Sequence, residues 1–108
     1  MPVYRKRRRY LKFWIRGDEG FSVKEAADAI QRSVLSLYGV QGLSTIEPNL
    51  IDFDEDSQSG ILRCNHDHLR EMRASLAFIT SIGESAAAIH VDKVSGTIRS
   101  LKKGGETA

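Results

Sequence analysis

The clearest hydrophobic pattern lies near the start of the chain, where apolar and polar residues alternate from Arg9 to Arg16. Leu11, Phe13 and Ile15 fall on one side of this segment. The other side carries two aromatic rings interleaved with two cations, namely Tyr10, Lys12, Trp14 and Arg16. Because the side chains of an extended strand point to opposite faces in turn, this period of two predicts a β-strand with one buried face.

Two later segments have the periodicity of amphipathic helices. The first begins at Ser22, whose spacing from Glu25 is that of a capping box, and Gly39 is its expected end. Its apolar residues recur at helical spacing: Val23, Ala26, Ala27, Ile30, Val34 and Tyr38. We expect residues 40–48 to form an irregular connection. The second helix is predicted from near Asp67 to Gly83, with an apolar stripe of Leu69, Met72, Leu76 and Ile79.

Three further strands complete the pattern. Residues 50–54 and 60–65 are predicted to form a hairpin across the polar turn 55–59, and residues 86–91 form a short apolar strand. The order β-α-β-β-α-β predicts an α+β fold of the ferredoxin-like, RRM-like class. In that sandwich a four-stranded antiparallel sheet carries both helices on one face. The opposite face, called the outer face below, stays open and receives Arg63 and His90 from the later strands.

The length of the chain, 108 residues, is that of one domain. We expect residues 1–8 to be a disordered basic arm, residues 9–103 to be the folded domain and residues 104–108 to be a disordered tail. Cys64 is the only cysteine, so no intramolecular disulfide is expected, and no apolar run is long enough to span a membrane. These features predict a cytoplasmic protein that binds no membrane.

Basic residues are concentrated at the two ends of the chain. Seven lie in the first 16 residues, whereas residues 17–96 hold six basic and thirteen acidic side chains, a net charge of −7. A positive patch on an acidic body indicates a polyanionic partner, most often nucleic acid. The predicted RNA-binding residues are Arg5, Lys6, Arg7, Arg8, Arg9, Tyr10, Lys12, Trp14, Arg16, Arg63, Arg99, Lys102 and Lys103.

Rings and cations on one sheet face can stack on bases and meet phosphates. The RRM signature also needs aromatic residues on the third strand, and residues 60–65 supply none. We therefore expect binding through shape and phosphates more than through reading of single bases. Two alternatives stay open: the basic arm is a solvated tail, or Tyr10 and Trp14 are covered by a partner protein or by the C-terminal segment.

No constellation in the sequence indicates a catalytic or metal site. Cys64, His66 and His68 lie close together, but a structural zinc site needs four ligands and no second pair is present. Asp52, Asp54 and Asp56 imitate the start of an EF-hand loop whose later positions do not match, so a solvated hairpin tip is expected. We predict no catalytic residues, no metal and no cofactor on this chain. A small enzyme of acylphosphatase type is a weaker alternative, suggested by the glycines of residues 39–43.

The second helix has an outward side as well as a core stripe. At about 100° per residue Phe78 lies nearly opposite Leu69, with Ala74 beside it. An exposed Phe near a small residue is a suitable anchor for a partner's pocket, so Ala74 and Phe78 are predicted to contact a protein, and self-association is left open. The alternative is that Phe78 folds back against Ile82 or the following loop.

Several segments resemble one protein family. The most specific are Gly60-Ile61-Leu62-Arg63-Cys64 and Val94-Ser95-Gly96-Thr97-Ile98-Arg99. The others are Leu69 with Arg73-Ala74-Ser75-Leu76-Ala77, Ile82-Gly83, Arg9-Tyr10-Leu11 and Gly42-Leu43-Ser44. Together, over residues 8–103, they are similar to the archaeal and eukaryotic ribonuclease P protein component 2 family.

The resemblance implies a function and a set of partners. It implies an RRM-like subunit of an endonuclease ribonucleoprotein that removes the 5′ leader from precursor tRNA, with Mg²⁺ bound by the catalytic RNA and not by this chain. The implied partners are the ribonuclease P RNA, precursor tRNA, the TIM-barrel-like protein component 3 and other ribonuclease P proteins. The alternative from another class is a ferredoxin-like interaction or regulatory module with a basic solubility tail.

Overall fold

The computed structural model describes residues 7–105, with side chains described for residues 7–101. The elements are β1 (Arg8–Gly17), α1 (Val23–Ile46), β2 (Asn49–Asp54), β3 (Ser59–Asn65), α2 (Leu69–Phe78), β4 (Ser81–Ile82), β5 (Ser85–Ser95) and α3 (Ile98–Gly105). One turn of 3₁₀ helix (His66–His68) precedes α2. Most of the predicted arm lies outside the described residues, but Arg8 belongs to β1 and pairs with Asn65.

The strands form one antiparallel sheet in the order β2-β3-β1-β5-β4. The predicted mixed α+β class is confirmed, whereas the predicted number of four strands is wrong because the sheet has five. The additional strand β4 has only two residues, which pair with Ser85 and Ala86 across a tight turn at Gly83. A strand of two residues is too short to show a period of two, so hydrophobic patterning could not reveal it.

The main core lies between one sheet face and the helices α1 and α2. Its members come from both layers: Leu11, Phe13 and Ile15 of β1, Ala26, Ile30 and Val34 of α1, and Met72 and Leu76 of α2. Phe13 is fully buried, and its ring stacks on Phe53 of β2 with centroids 6.1 Å apart. The alternation predicted for β1 therefore decides which of its side chains enter the core.

Helix α1 differs from its predicted extent at the C-terminal end. The capping box of Ser22 and Glu25 is present, with both reciprocal hydrogen bonds formed. Gly39 has φ +72° and leaves the helical conformation, as expected, but the chain then resumes a helix as far as Ile46. The prediction of an irregular segment at 40–48 is wrong for residues 40–46. Ile46 is fully buried, and burial of such a side chain stabilises this second helical segment.

Helix α2 is shorter than predicted at both ends. Asn65 accepts a hydrogen bond from the backbone N–H of Asp67 (3.0 Å) and initiates the 3₁₀ turn ahead of the helix. The helix ends at Phe78, five residues before the predicted stop at Gly83, and Ile79 is extended and buried. Ile79 and Ile82 are β-branched and enter the core from an extended segment, which suits their preference for strands.

The C-terminal segment forms a third helix, α3, that patterning did not predict. Helix α3 contacts β1 and β5, and its Leu101 is fully buried. Leu101 lines one pocket with Lys12 and Ile61, which are side chains of the outer face. The outer face is therefore partly covered by the C-terminal segment of the same chain, but Trp14, for which the sequence left such coverage open, stays exposed.

Gly60 occupies a position in β3 that has no room for a side chain. A Cβ placed there would collide with the backbone oxygen of Asp52 and would lie 3.0 Å from the ring of Phe53 and 3.1 Å from that of Phe13. We expect Gly60→Ala to lower the free energy of unfolding by about 2 kcal/mol or more, because β2 would have to move away from β3. Urea unfolding followed by circular dichroism measures this change.

Gly20→Ala is the matched control for that experiment. A Cβ at Gly20 would meet only the end of the Gln58 side chain at 3.7 Å, so this variant should keep a stability close to that of the wild type. Equal stabilities of the two variants would contradict the tight packing described at Gly60.

Candidate nucleic-acid interface

A row of four side chains crosses the outer face of the sheet. Trp14 of β1 lies between Ser59 of β3 and His90 of β5, and Ser59 is in turn paired with Asp54 of β2. The rings of Trp14 and His90 are stacked, with centroids 4.4 Å apart and planes inclined by 20°. Both side chains are exposed. The sequence placed His90 on this face, but only the strand register brings it next to Trp14.

Part of the outer face, including the Ser59 and Asp54 end of this row, lies beneath α3. A pocket of about 210 Å³ is lined there by Lys12, Asp52, Asp54, Ser59, Gly60, Ile61 and Leu101. The sequence predicted Asp52 and Asp54 as parts of a solvated hairpin tip. A register shift between Leu50 and Asp52 directs both carboxylates toward this pocket. The outer face therefore combines cations with two carboxylates and is not uniformly positive.

Several predicted RNA-binding arginines meet where β1 begins and β3 ends. Arg7, Arg8 and Arg63 line one shallow depression with Glu47 and Asn65. The backbone oxygen of Arg7 accepts a hydrogen bond from the N–H of His66 (3.0 Å), which fixes the start of β1. Guanidinium groups bind phosphate oxygens in a bidentate manner, so these three arginines are suited to a phosphate contact beside the Glu47 carboxylate.

The remaining predicted RNA-binding residues are spread over three places. Arg16 is exposed at the far end of β1, and Arg99 is exposed on α3. Arg9 shares the strand side of Leu11, and its guanidinium lies close to Gly96 after β5. Lys102 and Lys103 belong to α3, whereas Arg5 and Lys6 lie outside the described residues. The structure therefore places Arg8, Tyr10, Lys12, Trp14, Arg16 and Arg63 along one face of the sheet, whereas Arg9 lies on the other side of β1 and Arg99 on α3.

Two of the three residues considered as zinc ligands are engaged elsewhere in the fold. Cys64 is buried in the main core, and the ring of His68 is hydrogen-bonded to the carboxylate of Glu71. Burial, reinforced by the Glu71 charge, raises the pKa of the Cys64 thiol from 9.0 to about 11. Among the described residues, no three His, Cys, Asp or Glu side chains are grouped so that they could hold a metal ion.

The predicted protein-contact residues lie on the opposite side of the domain. Ala74 and Phe78 are exposed on α2, and Phe78 keeps 55% of its surface in solvent. Phe78 borders a groove of about 420 Å³ between α1 and the segment that follows α2. Glu25, Asp28 and Arg32 of α1 form the facing wall of that groove. In the part of the chain described, no helix is both long and apolar enough to cross a membrane.

The fold and these surfaces define a small α+β protein with a partly covered sheet face that carries rings, cations and two carboxylates. A model of the Rpp14/Pop5 family matches residues 9–104. The chain therefore belongs to the Rpp14/Pop5 family, and the resemblance predicted from its sequence is confirmed.

Individual relatives are similar over nearly the whole chain. Ribonuclease P protein component 2 of Thermococcus gammatolerans is 39% identical over 102 residues, covering 94% of this chain and 85% of that protein. The protein of the same name from Methanocaldococcus jannaschii is 38% identical over 101 residues, covering 94% and 74% respectively. A chain in the cryo-EM structure of yeast ribonuclease MRP superposes with a TM-score of 0.71 at 17% identity, over 98% of this chain and 93% of that one. At that identity the likeness shows the fold alone.

The raised pKa of Cys64 predicts a stability change in alkaline solution. Unfolding exposes the thiol and returns its pKa to 9.0, so the buried thiol contributes stability that is complete below pH 9 and is lost as the pH rises to about 11. We expect the free energy of unfolding to fall more steeply across this interval for the wild type than for Cys64→Ala. Urea unfolding of both proteins at several alkaline pH values tests this, and parallel pH profiles would contradict it.

Proposed function

We propose that this chain is a non-catalytic protein subunit of ribonuclease P that supports the RNA in removing the 5′ leader from precursor tRNA. The observation that carries the proposal is the family match over residues 9–104, together with relatives named ribonuclease P protein component 2. In our interpretation the four longer strands with α1 and α2 form a ferredoxin-like sandwich, to which β4 and α3 are added.

The physical role we assign to the chain is electrostatic. Folded RNA crowds phosphates together, and cations such as Arg7, Arg8 and Arg63 offset their repulsion where the strands approach. Mg²⁺ supplies charge compensation in the RNA, and fixed cations of a protein reduce how much of it is needed. The chain thereby stabilises the active RNA conformation without contributing a reacting group.

Partner proteins complete the assembly that we propose. Component 3 of ribonuclease P, expected to be TIM-barrel-like, and further protein subunits would bind surfaces away from the RNA. The groove beside Phe78 fits such a contact, because an exposed ring at its rim is the kind of side chain that dominates binding energy at protein interfaces. The family match favours this function over a regulatory module with a solubility tail and over an acylphosphatase.

Reconstituted cleavage of precursor tRNA tests the proposed function. The chain alone should produce no cleavage, and the RNA subunit alone should need a high Mg²⁺ concentration. Addition of this chain with its partner protein should shift the Mg²⁺ dependence to lower concentration, because the cations of the protein replace part of the metal. The measurement is the initial rate of 5′ leader release as a function of Mg²⁺ concentration.

The same assay contains the outcomes that would refute the proposal. Cleavage by RNA-free protein would overturn the non-catalytic role, and an unchanged Mg²⁺ dependence would overturn the supporting role. Replacement of Arg7, Arg8 and Arg63 by Gln provides the matched variant. It should keep the fold and lose most of the shift in Mg²⁺ dependence.

Phe78 provides a separate test of the protein-contact surface. Because the ring is more than half exposed, Phe78→Ser should leave the stability of the isolated chain nearly unchanged. If the groove is an interface, the variant should lose about 2 kcal/mol or more of affinity for the partner protein, as expected for an anchor residue. Isothermal titration calorimetry measures the affinity, and thermal unfolding measures the stability.

Val40→Ser is the control for Phe78→Ser. Val40 is 77% exposed and does not line the groove, so its replacement removes exposed apolar surface of another region. Equal affinities of both variants and the wild type would mean that the groove does not hold the partner. A large loss of stability in Phe78→Ser would instead show that the ring supports the domain itself.

A further inference from the structure

The stacked pair of Trp14 and His90 has a geometry that a purely electrostatic RNA contact does not need. Their ring centroids are 4.4 Å apart, and 40% of the Trp14 surface remains in solvent despite the stacking. A large aromatic side chain left this exposed is a common feature of binding surfaces. The second ring holds the indole in one orientation and covers only one of its two faces.

The other face of the indole borders a side chain that is too short to cover it. That neighbour is Ser59, whose hydroxyl is hydrogen-bonded to the hydroxyl of Ser57 at 2.7 Å. Side chains directly opposite each other on neighbouring strands start about 5 Å apart, so a small residue at this position leaves a gap beside the ring. A flat aromatic ligand can enter there and extend the stack beyond Trp14.

The charges around the gap select which part of an RNA would enter it. Asp54 lies beyond Ser59 in the same row, and one of its carboxylate oxygens accepts a hydrogen bond from the N–H of Asp56 (2.9 Å). A carboxylate repels phosphate but accepts hydrogen bonds from the amino groups of a base. Arg16 is exposed two residues along β1 on the same face, about 7 Å from Trp14, and provides a cation for the adjacent phosphate.

Helix α3 leaves the stacked rings uncovered. The helix follows Ser95, which lies opposite Tyr10 at the other end of β1. Its buried Leu101 lines a pocket with Lys12, Asp54 and Ser59, whereas Trp14 and Arg16 stay exposed. The stacked rings therefore lie outside the part of the face that Leu101 covers, and Ser59 marks the boundary between the two parts.

We propose that the Trp14–His90 pair is a stacking site for one unpaired RNA base, which lies against the free face of the indole above Ser59 while Arg16 contacts the neighbouring phosphate. The inference rests on the proposed function, because it takes RNA as the ligand. It differs from the phosphate-dominated binding expected from the sequence, since a base in a duplex is paired and cannot reach the rings.

Tryptophan fluorescence reads this site directly, because Trp14 is the only tryptophan of the chain. Titration of the full chain with a short single-stranded oligoadenylate should quench the emission as a base stacks on the indole. A blunt RNA duplex of the same length, bound through its phosphates, should leave the emission nearly unchanged. Binding of each RNA is followed independently by the anisotropy of a label on the RNA.

Substitutions separate stacking from charge. Trp14→Ala should weaken binding of the single strand by about 5- to 150-fold, the range typical of loss of one stacked base, and should leave duplex binding unchanged. Trp14→Phe keeps a ring and a strand-forming residue, so it should recover most of the affinity. Tyr38→Ala removes an aromatic side chain of similar exposure from α1 and should have no effect on either RNA.

The outcomes for this site and for the proposed function are distinguishable. If single-stranded RNA binds without quenching and Trp14→Ala binds it as the wild type does, the stacking site is wrong while the subunit function stands. If the emission responds only to the partner protein, the rings belong to a protein interface and the stacking site is likewise refuted. Normal quenching together with an unchanged Mg²⁺ dependence of cleavage would instead refute the proposed function.

Discussion

Pairing of β1 with β3 on one side and with β5 on the other is the interaction on which the rest of the structure depends. Because β1 is the central strand of the sheet, its pairing on both sides fixes which of its side chains face the helices and which face the outer surface. Leu11 and Phe13 are fully buried against the helices, while Lys12 and Trp14 point to the outer face. A shift of one residue in this register would exchange the two sets, and burial of the apolar side chains resists it.

The same strand explains how an acidic domain presents a basic surface. Most acids lie in the middle of the chain, whereas Arg8, Arg9, Lys12 and Arg16 belong to β1. Part of the positive charge is therefore fixed along this strand, whose first residues line one depression with Arg63 of β3 and with Glu47. Fixed cations on a rigid strand lose less conformational entropy on binding a phosphate than those of a free tail.

Helix α3 divides the outer face into a covered part and an exposed part. The fully buried Leu101 of this helix lines one pocket with Lys12 and Ile61, whereas the rings of Trp14 and His90 stay exposed. An RRM obtains its aromatic platform from the first and third strands. Here β3 has no aromatic residue, and the second ring comes from β5.

The sequence by itself determined the features that depend on local periodicity and composition: the β1 alternation, the start of α1 at its capping box, the charge asymmetry and the family. It could not reveal β4, the helix after Gly39 or α3, since short elements carry too little periodicity and are stabilised by tertiary contacts such as those of Ile46 and Leu101. The stacking of Trp14 on His90 joins residues 76 positions apart. The register of β1 with β5 makes these two residues neighbours. That register is set by hydrogen bonds between strands that are distant in the sequence, so the local pattern of residues cannot predict it.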